Sequence, residues 1–484
     1  MTRTSLTHPL QIASVHPGPD LGRVGITFCP GKVQPSAATG GWNRDLELDV
    51  AAIADWGAAA VLTLVEAHEL KALKVEGLGA SARRMQMNWL HAPIPDVSVP
   101  GPEFEAVWKT IGEGLRDRLR AGFDVVIHCK GGLGRAGMIA ARLMVELGVE
   151  PAKAIEDVRR VRPGAIETTA QEAHVLGTRA VAERQPSTAA DAIRERANGA
   201  LLGLAVGDAV GTTLEFKARD SYPPLTDMVG GGPFGLKPGQ WTDDTAMALA
   251  LADSLNACGG LNEQDLLGRF SEWWATGAYS CTGHCFDIGA TTQQALSRWR
   301  RTKGDHCGST DAYSAGNGSL MRLAPVAIRY FGNRESLRDA AARQSKTTHA
   351  AAEAVDACVI YAETLADAIE GASRSEVLRG RSSNWAGAID RIATGSWRGK
   401  RRAEIRATGY VAHSLEASLW SVGRSAGFAD AVLLAANLGQ DADTTAAITG
   451  QLAGALGGAG GIPYSWLDKL AWRDRLEQAV DDLL

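Results

Sequence analysis

Long apolar runs are missing from this chain. No stretch of about 18 uninterrupted apolar residues occurs, so no membrane-spanning helix is expected. Met1–Val15 has no apolar core of the length a secretory signal needs. An excess of one charge is missing too: Lys+Arg 50 stand against Asp+Glu 55, a formal net charge of -5. That balance creates no overall field to draw nucleic acid or an anionic membrane, and neither is an expected partner. Cysteine is sparse, with 7 residues, an odd number, scattered over 484. Such usage argues against a disulfide framework and makes the cytoplasm the expected compartment.

The hydrophobic content of 45% and charged content of 22% are those of a globular protein, and 484 residues exceed one ordinary core. Residues 1–183 alternate apolar strands with helical patterns. Ala58–Val65 and Val125–Ile127 read as buried strands, and Glu103–Leu119 and Met138–Leu147 as helices. The alternation predicts an α/β domain, a parallel sheet flanked by helices. Residues 184–192 are polar and aperiodic and read as a linker. From 193 to 484 the segments turn long and rich in Ala, Gly and Leu, as in Ala246–Leu255, Ala350–Ala366 and Thr444–Leu456. This part is expected to be helical, with small residues permitting close helix contact.

The first chemical signal is Val125–Gly137, VVIHCKGGLGRAG, a strand running through a Gly-rich loop into a helix. Gly132–Gly137 fits the dinucleotide fingerprint G-x-G-x-x-G. That reading needs an acid at the end of a second strand about 20 residues on, and the segment from Glu150 begins a helix instead. The other reading starts at Cys129, which with Arg135 has the spacing C-x5-R. Inward amides of Lys130, Gly131, Gly132, Leu133 and Gly134, backed by a helix N-terminus, would hold a phosphate dianion and favour a thiolate beneath it. Arg135 can grip two phosphate oxygens. The thiolate attack needs an acid for the leaving oxygen. Asp96, 33 residues before Cys129 in the proline-flanked loop His91–Pro100, is the candidate, against the plainer reading that it caps the next helix.

These residues resemble the dual-specificity branch of the protein tyrosine phosphatases, especially kinase-associated phosphatases. His128–Arg135 matches the H-C-x5-R loop, and Arg162–Thr168 with Gln171 matches a downstream R-P-x-A-I-E-T…Q segment. The resemblance implies phosphate-monoester hydrolysis without a cofactor, on a phosphorylated substrate. It departs at Ala136, where the family often carries a hydroxyl that stabilises the leaving thiolate. The alternative is a domain that only binds phosphate, for targeting.

The second signal is a set of acids at helix starts: Trp241–Ala246 (WTDDTA), Asn437–Thr445 (NLGQDADTT), and Gly207–Phe216 (GDAVGTTLEF) following an apolar helix. Capping explains one acid per helix start, not Asp243 with Asp244 or Asp441 with Asp443. Adjacent buried carboxylates repel unless a cation lies between them, and hard oxygen donors suit Mg2+ or Mn2+. A zinc reading of Cys281, His284, Cys285, His306 and Cys307 finds no C-x2-C pair.

Gly230–Leu255, Gly316–Pro325 (GNGSLMRLAP) and Gln440–Thr445 resemble successive motifs of the ADP-ribosylglycohydrolase family, in the same order. The resemblance implies an all-α domain with two Mg2+ or Mn2+ ions, held by Thr242, Asp243, Asp244, Asp441, Asp443 and Thr444. It implies release of ADP-ribose from an ADP-ribosylated protein or small molecule. Two candidates remain for proton handling: Asp287, in a matching F-D-I-G-x-T-T segment, and Glu215. Gly316, Asn317, Gly318 and Ser319 are expected to offer amides to the diphosphate, and His349 to lie near the nucleotide. The expectation for the whole chain is a bifunctional hydrolase.

Overall fold

The computed structural model describes residues 2–37, 40–381 and 384–484. The chain divides into two compact units, one built mainly from Met1–Glu183 and the other from most of the remainder.

The first unit is built on strands β1 (Ala13–Val15), β2 (Val24–Phe28), β5 (Ala60–Thr63), β6 (Asn88–His91) and β7 (Val125–Cys129), in the order β1-β2-β7-β5-β6. Val33–Gln34 (β3) and Trp42–Asn43 (β4) form a separate antiparallel pair. β2, β7, β5 and β6 run parallel, as predicted. β1 is antiparallel to β2, so the sheet is mixed rather than wholly parallel. All residues of β5 and β7 are buried, as a β-branched run covered on both faces should be. The last strand in sequence, β7, lies between β2 and β5, so its C-terminal end opens at the point where connections diverge to either side. Cys129 is the last residue of that strand.

The following helix, Gly134–Glu146, begins four residues before the predicted Met138, since the Gly-rich loop supplies its first turn. Every residue of it is buried, and its charged members are paired: Arg135 with Glu69, and Arg142 with Glu105 and Glu146.

The second unit is helical. Its centre is an antiparallel pair, Ala190–Gly211 and Ala442–Gly457. Glycines spaced four apart on the first helix (Gly199, Gly203, Gly207, Gly211) lie against backbone of the second. A Cβ added at Gly203 would stand 2.2 Å from the Gly450 carbonyl oxygen, and one at Gly450 2.0 Å from that of Gly203. Any side chain there pushes the helices apart. The tight crossing brings Asp208, near the end of one helix, beside Asp443, at the start of the other. The first helix starts at Ala190 rather than 193, and irregular chain precedes it from Thr178. Among the described residues no helix is long and apolar enough to cross a membrane.

Candidate active sites

Each unit gathers reactive side chains at a helix N-terminus. In the first, the carbonyls of the Cys129 loop are tied outward. Lys32 Nζ donates to the Lys130 oxygen at 3.1 Å, and Arg162 reaches the oxygens of Gly132 (2.9 Å) and Gly131 (3.2 Å). The Gly132 amide donates to Cys129 Sγ at 3.2 Å, with Gly132 at φ +70°. Cys129 itself is buried. Burial pulls the Lys32 ammonium down to about 8.

Arg135 sits in the first turn of the helix, 2% exposed. It donates to both carboxylate oxygens of Glu69, at 2.6 and 3.0 Å, and to the Ile94 carbonyl at 2.9 Å. Its Nη2 also lies 2.9 Å from Asp96 Oδ1. The predicted acid therefore stands beside the predicted phosphate-gripping arginine, on a side chain 53% exposed and open to solvent. Burial opposes ionisation of Glu69, but the hydrogen bonds from Arg135 win and hold its carboxyl below the ordinary value. Burial likewise opposes the Arg135 charge, and its bonds to Glu69 raise it. Glu69 and Lys32 were not singled out from the sequence. The signal for Glu69 was indirect: an arginine buried in a loop needs a fixed carboxylate.

In the second unit, Thr242 precedes the helix Asp243–Cys258, and Asp441 precedes Ala442–Gly457. Two triads of carboxylate oxygens result, Asp208–Asp244–Asp443 and Glu215–Asp441–Asp443, each with its members within 4.8 Å of one another. Asp443 belongs to both. Asp243 and Asp244 are buried, and burial followed by neighbouring acids pushes both well above the carboxylate range. The same causes raise Asp443, and burial raises Asp441. Oδ1 of Asp244 and Oδ2 of Asp443 are buried with no hydrogen-bond partner. Unpartnered, mutually repelling hard oxygens are the donor set that fits a divalent cation.

Asp208 was not anticipated as a member of this site. It is fully buried, and burial lifts its carboxyl to about 6. Its oxygens accept from Thr242 N (2.9 Å), Thr242 Oγ1 (3.0 Å), Thr245 N (3.1 Å) and Thr245 Oγ1 (2.7 Å). Spoken for on four sides, it orients Thr242 and the turn bearing Asp243 and Asp244. Thr444 is buried, its amide donating to Asp443 Oδ1 at 2.7 Å.

Glu215 Oε2 accepts from the amides of Ala442 (2.7 Å) and Asp443 (3.3 Å), capping that helix. Burial pushes the Glu215 carboxyl up to about 8 and that of Asp287 to about 7. Asp287 is half-buried and held at φ +61°, a conformation that costs a non-glycine residue about 1–3 kcal/mol.

Above the acids lies a cavity of about 580 Å³, lined among others by Glu215, Asp243, Asp287, Asn317, His349 and Asp441. Asn317 Nδ2 donates to Asp441 Oδ2 at 2.6 Å and to Ser414 Oγ at 2.8 Å, tying the Gly316–Ser319 turn to the acid cluster. The amides of Gly316 and Asn317 are engaged by the oxygens of Ser314 and Gly409, so only part of the expected amide array faces a ligand. Ser319 Oγ is buried against Ser345. The His349 ring packs on Gly318, where an added Cβ would come 2.8 Å from Cε1. Its Nδ1 meets Thr348 Oγ1 at 2.8 Å, Arg322 donates to that same hydroxyl at 2.9 Å, and burial drives the imidazole down to about 3.

Comparison with known proteins falls along the same division. The family model for ADP-ribosylglycohydrolase matches residues 189–484, and that for the Swiss Army Knife protein, DSP-PTPase phosphatase domain, matches 31–175. An ADP-ribosylarginine hydrolase Tri1 of Pseudomonas putida (strain GB-1) is 46% identical over 292 residues, covering 60% of this chain and 78% of that protein. The structure of an ADP-ribosylglycohydrolase-related protein complex superposes with a TM-score of 0.54 at 38% identity, over 60% of this chain and 97% of its own. At the front, cyclin-dependent kinase inhibitor 3 of Rattus norvegicus is 32% identical over 132 residues, 27% of this chain and 61% of that protein.

Proposed function

Because this chain belongs to the ADP-ribosylglycohydrolase family and carries a dual-specificity phosphatase domain ahead of it, making it a bifunctional hydrolase, we propose that its second unit releases ADP-ribose from arginine side chains. The observation that carries the hydrolytic reading is the pair of carboxylate triads sharing Asp443 beneath a cavity of nucleotide-sugar size. The arginine linkage rests on similarity to two ADP-ribosylarginine hydrolases, 46% and 44% identical to this chain over 292 residues.

Two Mg2+ or Mn2+ ions would be held by Asp243, Asp244, Asp441 and Asp443 with the Thr242 and Thr444 hydroxyls. Bound there, they would polarise the ribose hydroxyls and acidify a water. The remaining work belongs to the chain. Asp441 and Asn317 join the metal floor to the Gly316–Ser319 turn, which receives the diphosphate on its remaining amides. His349 closes that side as a neutral ring. Water attacks the anomeric carbon as its bond to the arginine nitrogen breaks, through an oxocarbenium-like state. Asp287 moves the proton, since its carboxylate lines the cavity while Glu215 is committed to two helix amides. Glu215 then acts by holding Asp443.

In the first unit Cys129 attacks phosphorus, Arg135 grips two oxygens, and Asp96 protonates the leaving oxygen. Water then cleaves the phosphocysteine. Ala136 supplies no hydroxyl to the departing thiolate, so this second step limits the rate. No cofactor is assigned to this site, and we place both reactions in the cytoplasm on the chain's scattered cysteines.

Purified protein assayed on arginine-, serine- and other defined ADP-ribosyl conjugates, with Mg2+ or EDTA, tests the main reading. Metal-dependent release from the arginine conjugate is expected; release from other linkages only would refute it.

A further inference from the structure

Phe216 follows Glu215, lines the same cavity, and is 67% exposed. It also stands at φ +59°, where a bulky side chain is a true outlier. Two reciprocal hydrogen bonds hold it there: Phe216 N donates to the Gln440 oxygen and Gln440 N to the Lys217 oxygen, both at 2.7 Å. Gln440, the residue before Asp441, is itself at φ +61°. A large apolar ring is thus presented to solvent at the cavity by a strained, doubly pinned backbone. Neither exposure nor strain benefits the fold, which points to a role in binding.

The ring is not alone. It meets Phe234 edge-on, with centroids 6.3 Å apart and planes at 74°. Phe234 in turn packs on Phe286 at 5.1 Å, and Phe286 precedes Asp287. Three loops therefore join in one aromatic wall, whose end rings follow Glu215 and precede Asp287 in the chain. Aromatic faces carry negative potential and attract a cation set against them. Such a wall recognises a flat, weakly hydrated cation, and the guanidinium is the amino-acid side chain of that description.

Resting on the arginine reading above, we propose that Phe216 is a specificity-determining residue that stacks on the guanidinium of the ADP-ribosylated arginine. It selects that leaving group over neutral hydroxyl-linked ones. It contributes to holding the substrate rather than to the chemical step.

The test compares wild type with Phe216→Leu and Phe216→Trp on arginine-linked and serine-linked ADP-ribosyl peptides, with Mg2+ present. Phe216→Leu keeps the apolar bulk and removes the π face. It should raise KM for the arginine conjugate roughly five- to thirtyfold with kcat little changed. Phe216→Trp should keep or improve KM. Inhibition by free ADP-ribose should not move in either variant. The proposal is overturned if Leu serves as well as Phe, or if ADP-ribose inhibition weakens in parallel, which would put the ring on the nucleotide instead. Agmatine, a free guanidinium compound, separates this proposal from the arginine reading. In the presence of ADP-ribose it should bind wild type roughly five- to thirtyfold more tightly than Phe216→Leu, whichever conjugate the enzyme cleaves. Equal agmatine binding by both proteins, or by neither, refutes the stacking role.

Discussion

Around Cys129 every charge meets an opposite charge or dipole supplied by the chain: Arg135 by Glu69 and Asp96, the loop carbonyls by Lys32 and Arg162, the sulfur by the Gly132 amide. Around Asp443 the arrangement is reversed. Seven carboxylates converge, and two buried oxygens lack any hydrogen-bond partner. Both sites lie at the start of a helix, so the helix dipole does not distinguish them. The difference lies in where the compensating charge comes from. The first site is a finished anion receptor whose fold already contains the counter-charges. The second is a set of ligands whose repulsion a bound cation must neutralise. On the reading proposed above, the first site draws its counter-charges from the protein, and the second would be coupled to a metal in stability as well as in activity.

The sharpest way to break this comparison is to disable one site and watch the other. Cys129→Ser removes the nucleophile and should lower aryl-phosphate turnover at least a thousandfold, since a serine hydroxyl is a far weaker nucleophile than the thiolate it replaces. Release of ADP-ribose should be unchanged. EDTA should give the mirror result, and loss of both activities under either treatment would deny the independence of the two sites. Next in size is Asp443→Asn. It removes the one carboxylate common to both triads while keeping its shape, and should cost ADP-ribose release a hundredfold or more. Asp208→Asn, which alters one triad and the hydrogen bonds to Thr242 and Thr245, should cost less.

The metal coupling predicts a stability effect confined to the second unit. At a hundred times its dissociation constant a bound ion stabilises by about 2.7 kcal/mol. Hydrogen exchange in the helices Asp243–Cys258 and Ala442–Gly457 should slow correspondingly on adding Mg2+. Exchange in β7 and the helix Gly134–Glu146 should not respond. A uniform response of both units would mean the ion acts somewhere other than at the acids.

Much of this was legible in advance because the chemistry is local. C-x5-R places a thiol, a cradle and a cation within seven residues, and the acid pairs stand at helix starts. What escaped was supplied from a distance. Glu69 lies on a short helix far back in the chain, with nothing in its neighbourhood to announce that Arg135 would need it. Asp208 was hidden in an apolar helix, where a lone acid reads as an interruption. The rule that a buried carboxylate must be hydrogen-bonded could have marked it, but not named Thr242 and Thr245 as its donors. The small residues of the second part did foreshadow close helix contact, yet the four-residue spacing of Gly199, Gly203, Gly207 and Gly211 and its partner, the helix bearing Asp443, became plain only in the structure. The antiparallel β1 is three residues long, too short for any periodicity to reveal its direction. Strain escaped as well, since φ at Phe216 is held by a hydrogen bond to the distant Gln440.

A pH experiment probes the first unit with a smaller effect. His128 is wholly buried; burial takes its imidazole down to about 3, with His91 and Arg135 adding to the shift and a backbone hydrogen bond at Cys129 opposing it. Its Nε2 lies 2.8 Å from Thr63 Oγ1, which also receives the Trp89 indole N–H. Below about 6.5 the unfolded chain takes up a proton here that the folded chain refuses. The contribution is therefore fully present above that pH and is lost as pH falls toward 3, at up to roughly 1.4 kcal/mol per unit. Urea unfolding of the first unit between pH 7 and 5 should show this slope, and His128→Asn should flatten it. An unchanged slope in the variant would assign the acid sensitivity to other groups.

The smallest effect bears most directly on why the second site is strained at all. If Phe216 is held at φ +59° for binding, Phe216→Gly should relieve the strain and stabilise the protein by about 1 kcal/mol, even though it removes a large side chain. In an ordinary core the same change would destabilise by several kcal/mol. The sign is therefore diagnostic, and denaturant midpoints measured with Mg2+ present will read it. A gain in stability joined to a rise in KM for the arginine conjugate means that the fold keeps a strained residue for its substrate. A loss of stability would mean that the ring packs against Phe234 to support the loop, and that the strain at this position serves the fold after all.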